Sequence, residues 1–287
     1  MKVAHRPDEL SPAERVVAIG SFDGVHRGHR QVLAKAQAEG PVTVVTFWPH
    51  PRFVLGNRVE LLSTLERRLE LLAQVGVAET LVVDFTPDLA RQEPAEFCES
   101  LLRRIGTRVI VVGENFRFGR GASGDPALLE RLGFEVRAVP LLEGVSSTEV
   151  RACLRKGDVA AAAQLLGRPP ELDGTVVLGS QRGGTLGYPT ANLAVEPDLL
   201  VPAYGIYAGA ALDHRAAISI GVNPHYGGGE RRIEPHLLDF KGDLYGKRLV
   251  VELWRRLRDE RAFDSEAELV AQIARDVEET RATTRPV

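Results

Sequence analysis

An apolar run over residues 16–19 leads directly into the string Gly-Ser-Phe-Asp-Gly-Val-His-Arg-Gly-His at 20–29, and an amphipathic helical pattern begins near Arg27. A buried strand, a glycine-bearing turn and a helix start, in that order, read as the first βα unit of a parallel sheet. Such a turn presents backbone N–H groups to a phosphate beyond the strand's carboxyl end. His26 and His29 stand three apart where the helix begins, so both imidazoles can face one point. The same spacing could share a metal ion, or leave two surface histidines; no third ligand stands at a metal-type spacing. A phosphate cradle with paired imidazoles points to transfer of a nucleotidyl group rather than to binding alone.

The first half continues to alternate. Strands are expected at 42–47, 81–83, 109–112 and 134–139. Between them lie helical patterns near 27–38, from Ser63, over 94–105 with Pro94 in the first turn, and near 126–132. Ser63 and Glu66 read as a capping box. Strands separated by helices of this length imply right-handed crossovers and a parallel sheet. His26, Asn115 and Ser147 each follow a predicted strand, so they are expected along one edge. Helical spacing over 147–166 closes this unit, and Gly167-Arg168-Pro169-Pro170 reads as a linker.

Beyond the linker the period changes. Short β-rich runs at 174–178, 186–193, 205–211, 216–220, 233–240 and 248–257 are separated by Gly, Pro and Asn clusters, the pattern of an antiparallel barrel. The tail from Ser265 to about Arg281 returns to helical spacing, with Ser265 and Glu268 as a second capping box.

A length of 287 residues accommodates two domains, each with its own core. The net charge of −3 argues against a general nucleic-acid or membrane surface. Cys98 and Cys153 have no metal-type spacing and read as buried or half-buried thiols of a reducing cytosol. No signal-peptide core and no run of membrane-spanning length occurs, so a cytoplasmic protein is expected. No protein partner is implied.

The spacing His-x-Gly-His after a first strand resembles the HIGH-type nucleotidyltransferases, and the fuller string resembles the start of the bacterial bifunctional riboflavin kinase/FAD synthetase family. Further segments repeat the likeness in order: Thr46-Phe47-Trp48-Pro49-His50-Pro51, Gly113-Glu114-Asn115-Phe116-Arg117-Phe118-Gly119 and Ser146-Ser147-Thr148-Glu149-Val150-Arg151. A second set comprises Leu186-Gly187-Tyr188-Pro189-Thr190-Ala191-Asn192 and Asp239-Phe240-Lys241-Gly242-Asp243-Leu244-Tyr245-Gly246. The resemblance implies a Rossmann-like nucleotidyltransferase domain over 1–168. It implies a six-stranded antiparallel riboflavin-kinase-type barrel with a C-terminal helix over 169–287. The implied reactions are phosphorylation of riboflavin to FMN and adenylylation of FMN to FAD, with ATP as co-substrate and Mg2+ as cofactor.

For adenylyl transfer, His26 and His29 are suited to donate N–H groups to phosphate charge that grows in the transition state. Ser147-Thr148 opens a helix with Arg151 four residues after Ser147 on the same face, a second anion clamp fitted to β- and γ-phosphates. By itself that pattern equally describes an ordinary N-cap beside a solvated arginine; the family's Ser-Thr-x-x-Arg signature assigns it to the nucleotide. The resemblance also assigns Gly20, Phe22, Asp23, Gly24, Asn115, Ser146 and Thr148 to ATP or flavin contacts. Trp48 departs from the acidic residue that relatives usually carry there.

No P-loop occurs, so a kinase activity would use another scaffold. Thr190 and Asn192, two apart on a predicted strand, point the same way, and their oxygens suit magnesium bridging ATP phosphates; a solvated Thr/Asn pair is the plain alternative. Gly183, Gly184 and Gly187 allow close backbone approach to phosphates, and Pro189 lies within the family motif. Glu234 matches the family's catalytic base, which accepts the ribityl hydroxyl proton. Departures from the family cluster here: Gly184 for arginine, Val222 and His225 for threonines, and Pro235 after Glu234, which suits only an edge or bulge. Two competing readings follow: a transferase whose kinase domain has lapsed, and a flavin- or nucleotide-binding regulator without turnover.

Overall fold

The computed structural model describes residues 1–179, 186–222 and 231–287. Contacts within the chain divide it into two compact units: 1–60 with 65–146, and 61–64 with 147–287.

The first unit is a six-stranded sheet of β1 (Lys2–Ala4), β2 (Arg15–Ile19), β3 (Val42–Trp48), β4 (Glu79–Asp84), β5 (Thr107–Gly113) and β6 (Glu135–Val139). Their order is β1-β4-β3-β2-β5-β6 and every pairing is parallel. β2 is buried along its whole length because helices cover both faces. Its alternate residues feed two cores. Val17 and Ile19 join Leu81, Ile110, Phe97 and Leu102 on one side, while Val16 and Ala18 join Val44, Leu33 and Leu72 on the other. The crossovers carry helices α1 (Arg27–Gln37), α2 (Pro51–Val54), α3 (Leu65–Gln74), α4 (Pro87–Arg91), α5 (Pro94–Phe97) and α6 (Pro126–Arg131). The helix expected over 94–105 is α-helical only to Phe97 and continues as π-type turns over Cys98–Arg103. β1 went unpredicted: it is three residues long, mostly exposed, and offers no alternating apolar signal. After β2, β3 and β4 are added to one side, and the chain then crosses to place β5 on the other side of β2. That reversal opens a crevice at the carboxyl ends of β2 and β5, where ligands of such sheets bind.

The second unit holds β7 (Glu171–Val177), β8 (Asn192–Val195), β9 (Gly205–Ala211), β10 (His214–Val222), β11 (Arg231–Leu237) and β12 (Arg248–Arg258). They pair antiparallel in the order β11-β10-β9-β12-β7-β8. The outermost strands approach each other, with Ala191 N–H donating to the Pro235 carbonyl at 2.9 Å, so the sheet curls into a nearly closed barrel. Pro235 lies on an end strand of the order, as its missing N–H requires. The run at 186–193 becomes strand only from Asn192, so Thr190 sits in the lead-in rather than on the strand. α7 (Ser147–Arg155) and α8 (Val159–Leu166), assigned from sequence to the first domain, group by contacts with this unit. The C-terminal helix, α9 (Glu266–Ala282), is capped by Ser265 accepting from Glu268 N–H at 3.2 Å. It is anchored by Arg258 gripping Asp276 at 2.7 Å.

Residues 61–64 are woven into this unit. Leu61 N–H donates to Asp198 O at 2.7 Å, and Leu200 N–H donates to Leu61 O at 2.8 Å. Thr64 Oγ1 donates to Asp173 Oδ2 at 2.5 Å, and Asp173 also takes both arms of Arg248. α3 starts at Leu65, two residues after Ser63.

Gly209 on β9 tests the barrel's packing. A Cβ there would lie 1.8 Å from the Glu252 carbonyl oxygen across the β9–β12 pair. Gly209→Ala is expected to destabilise the protein by about 3 kcal/mol, since backbone cannot yield as a side-chain tip can. Urea denaturation checks it; an unchanged midpoint would show that the strands separate freely at this point.

Candidate active sites

In the first unit the turn between β2 and α1 has an uncommon backbone. Phe22, Gly24 and Val25 all lie at positive φ (50°, 76° and 41°), a region costly for a β-branched residue. The turn delivers His26 as the N-cap of α1, its Nδ1 accepting from His29 N–H at 3.3 Å. The spacing of three thus yields an N-cap and a first-turn residue. An accepting Nδ1 carries no proton, so neutral His26 bears its proton on Nε2. The two rings stack with centroids 3.6 Å apart. Gly28 leaves room for it: a Cβ there would lie 3.1 Å from His26 Cε1, and the ring would have to give by a few tenths of an ångström. Burial, then His26 and Arg68, hold His29 well below the usual histidine range, so its ring is neutral near pH 7. His29 Nδ1 is shut off from solvent with no hydrogen-bond partner among the described residues.

Asp23 and Arg68 are almost wholly buried, at 1% and 0% exposure, with Arg68 Nη2 3.7 Å from Asp23 Oδ1. The Arg68 guanidinium also lies over the Trp48 ring, 5.7 Å from its centroid. Asn115 follows β5 in an exposed turn, its Oδ1 placed 3.3 Å from where a Gly113 Cβ would stand. Ser147 is the first residue of α7, Ser146 immediately precedes it, Thr148 is exposed and Arg151 is buried.

In the barrel unit, β11 separates two cavities. Glu234 and His236 line one of about 290 Å³, with Tyr188, Ser219 and Phe263. Pro235 and Leu237, on the other face of the strand, line one of about 190 Å³ with Asp243 and Tyr245. Thr190 lines both. His236 Nδ1 meets the Pro189 carbonyl at 2.7 Å, and since a carbonyl only accepts, the imidazole donates. That bond ties the Thr190 segment to the glutamate strand. Burial pushes the Glu234 carboxyl above the usual range; Arg232, 3.9 Å away, opposes this and Glu260 reinforces it. The Glu260 carboxylate sits where a Gly221 Cβ would come within 2.1 Å of it. Asn192 likewise lies against Gly179, where a Cβ would stand 1.9 Å from Nδ2.

Two family models match. The FAD synthetase model covers residues 8–150, and the riboflavin kinase model covers 166–284. The bifunctional riboflavin kinase/FMN adenylyltransferase of Escherichia coli (strain K12) is 37% identical over 96% of this chain and 96% of its own length. That of Bacillus subtilis (strain 168) is 34% identical over 93% and 92%. The crystal structure of the macrolide-efflux protein from Streptococcus pneumoniae superposes with a TM-score of 0.87 at 31% identity, covering 98% of this chain and 99% of that one. The chain belongs to the bifunctional riboflavin kinase/FMN adenylyltransferase family.

Within the FAD synthetase segment the parallel sheet brings His26 and Asn115 to neighbouring strand ends, β2 and β5. Within the riboflavin kinase segment the barrel brings Thr190 and Glu234 to the wall of one cavity. Gly187 lies at φ 84°, a position that favours glycine. Gly183, Gly184 and His225 fall outside the described residues; Val222 ends β10, opposite Arg231. Burial pushes the Cys98 thiol up to about 11 and raises that of Cys153, which keeps both protonated at neutral pH. No described helix is long and apolar enough to cross a membrane.

Three residues of these sites escaped sequence reasoning: Arg68, His236 and Glu260. Arg68 left a trace, because it stands three and four residues before Leu71 and Leu72 on the apolar stripe of α3, where a charge is out of place. His236 and Glu260 left none, since a polar residue alternating on a strand or following one is the ordinary pattern.

Proposed function

We infer that this protein makes FAD in two ATP-dependent steps, one in each family-matched segment, with 1–168 acting as the adenylyltransferase domain and 169–287 as the kinase domain. In the first step the terminal ribityl hydroxyl of riboflavin attacks the γ-phosphorus of ATP; ADP departs and Glu234 takes the hydroxyl proton. In the second step a phosphate oxygen of FMN attacks the α-phosphorus of a second ATP, and pyrophosphate departs. His26 and His29 donate N–H groups to the α-phosphate as its charge grows. The helix start at Ser146, Ser147 and Thr148, with Arg151, holds the β- and γ-phosphates. Gly20, Phe22, Asp23 and Gly24 shape the turn, and Asn115 contacts flavin or adenine.

The observation that carries the kinase reading is the place of Thr190, which borders both cavities. Riboflavin takes the larger one beside Glu234, ATP the smaller, and the transferred phosphoryl passes at the threonine. Magnesium fits the donors there: Thr190 and Asn192 offer hydroxyl and amide oxygens, and the Asn192 amide is seated by the missing Cβ of Gly179. Bound magnesium neutralises phosphate charge. Free thiols at Cys98 and Cys153 support a cytoplasmic location.

Purified protein incubated with riboflavin, ATP and magnesium should yield FMN and then FAD, resolved by chromatography, and a parallel reaction from FMN should yield FAD. FAD from FMN alone would mean that the kinase half has lapsed. Tight flavin binding with no ADP or pyrophosphate release would replace the reading with that of a binding module.

A further inference from the structure

The least expected group of the first unit is Arg68. Its guanidinium is wholly removed from water, yet its helix is otherwise held by leucines. A buried ion pair is a poor device for stability alone, since apolar residues of similar volume hold such sites as well or better. Its surroundings suggest another use. Asp23, its ion-pair partner, belongs to the turn that holds Phe22, Gly24 and Val25 at positive φ. Trp48, under its planar face, ends β3, the strand next to β2. Arg68 therefore joins the strained turn, the end of a neighbouring strand and α3. Backbone held in a sparsely populated region persists only where its surroundings over-determine it.

We propose that Arg68 is a positioning residue for nucleotidyl transfer: through Asp23 and Trp48 it clamps the histidine turn in the shape that aims His26 and His29 at the α-phosphate of a nucleoside triphosphate. The inference rests on the reading that the two histidines serve that phosphate. The clamp has an electrostatic side. Two charged or titratable groups lower the pKa of His29, His26 from the turn and Arg68 from α3, and Asp23 of the turn is the ion-pair partner of that arginine. A fixed cation behind the His29 imidazole disfavours its protonation and keeps it a neutral N–H donor.

The test compares Arg68→Met and Arg68→Lys with the unaltered protein and with His29→Ala. Rates of FAD formation from FMN and of FMN formation from riboflavin are measured across pH. Arg68→Met retains the stem and loses charge and fork; its kcat for FAD synthesis should fall about 100-fold, with the KM for ATP changed far less. Its acid limb should move to higher pH, because His29 is protonated more readily without the cation. Arg68→Lys should recover about tenfold of the loss and restore the limb, since it returns the charge but not the fork. FMN formation should persist in both variants. If Arg68→Met does not fold, Arg68→Lys decides: a tenfold loss with an unmoved acid limb supports the clamp, and full activity overturns it. An Arg68→Met protein with kcat within threefold of normal, or with an unmoved acid limb, also overturns it. Should His29→Ala keep full FAD synthesis, the histidine reading itself fails, an outcome distinct from failure at Arg68 alone.

Discussion

His29→Ala should lower the rate of FAD formation from FMN by roughly 100- to 1,000-fold, the cost of removing one preorganised donor from a charged transition state. FMN formation from riboflavin should be unchanged, because the two chemistries lie in separately matched segments. The substitution is mild for the fold. The cap between His26 Nδ1 and position 29 uses the backbone N–H, which alanine retains. What is lost is a ring stacked on His26, held neutral by burial and by the charges nearby. Its buried Nδ1, without a hydrogen-bond partner among the described residues, is a cost that stability alone would not select. Loss of both activities in protein shown to be folded would contradict two separate sites, and retention of FAD synthesis would remove His29 from the mechanism.

Glu234→Gln should do the reverse, cutting FMN formation by roughly 100- to 10,000-fold and sparing FAD formation from supplied FMN. The amide fills the same space on β11 but cannot take the hydroxyl proton. The pH profile gives a second reading. Burial raises the carboxyl above its ordinary value, Arg232 pulls it down, and Glu260 raises it further. A base must be ionised, so kinase activity should fall with decreasing pH from a higher point than an exposed glutamate would set. Glu260→Gln should shift that limb toward lower pH. The stability linkage has a matching sign: folded protein holds this proton more tightly than unfolded chain, and the resulting stabilisation, full below the unfolded value, is lost as pH rises through the folded one. A profile in which Glu260→Gln leaves the limb in place would separate the titration from Glu234.

These expectations draw unequally on sequence and structure. The strand–turn–helix at 16–29 was readable because burial on both faces forces a continuous apolar run, and glycines mark where backbone must turn. The barrel strands at 205–211 and 248–257 were readable for a different reason: antiparallel pairs between turns keep apolar and β-branched residues at regular spacing. The 186–193 run misled because its apolar and β-forming residues line a cavity before the strand begins at Asn192. The helix expected from Ser63 begins at Leu65, next to Thr64, which bonds to Asp173, 109 residues away.

Sequence by itself determined the local grammar: which runs are strands, where the histidine turn lies, that two differently patterned halves follow one another, and which family they resemble. Periodicity and turn chemistry act over a few residues and survive without neighbours. Tertiary structure alone decided that Arg68 backs the histidine turn, that His26 caps the helix while His29 stacks on it, that His236 ties Pro189 to the Glu234 strand, and that Thr190 borders two cavities. Each depends on residues brought together by strand order, and burial, which sets their charge states, has no value until the fold has closed around them.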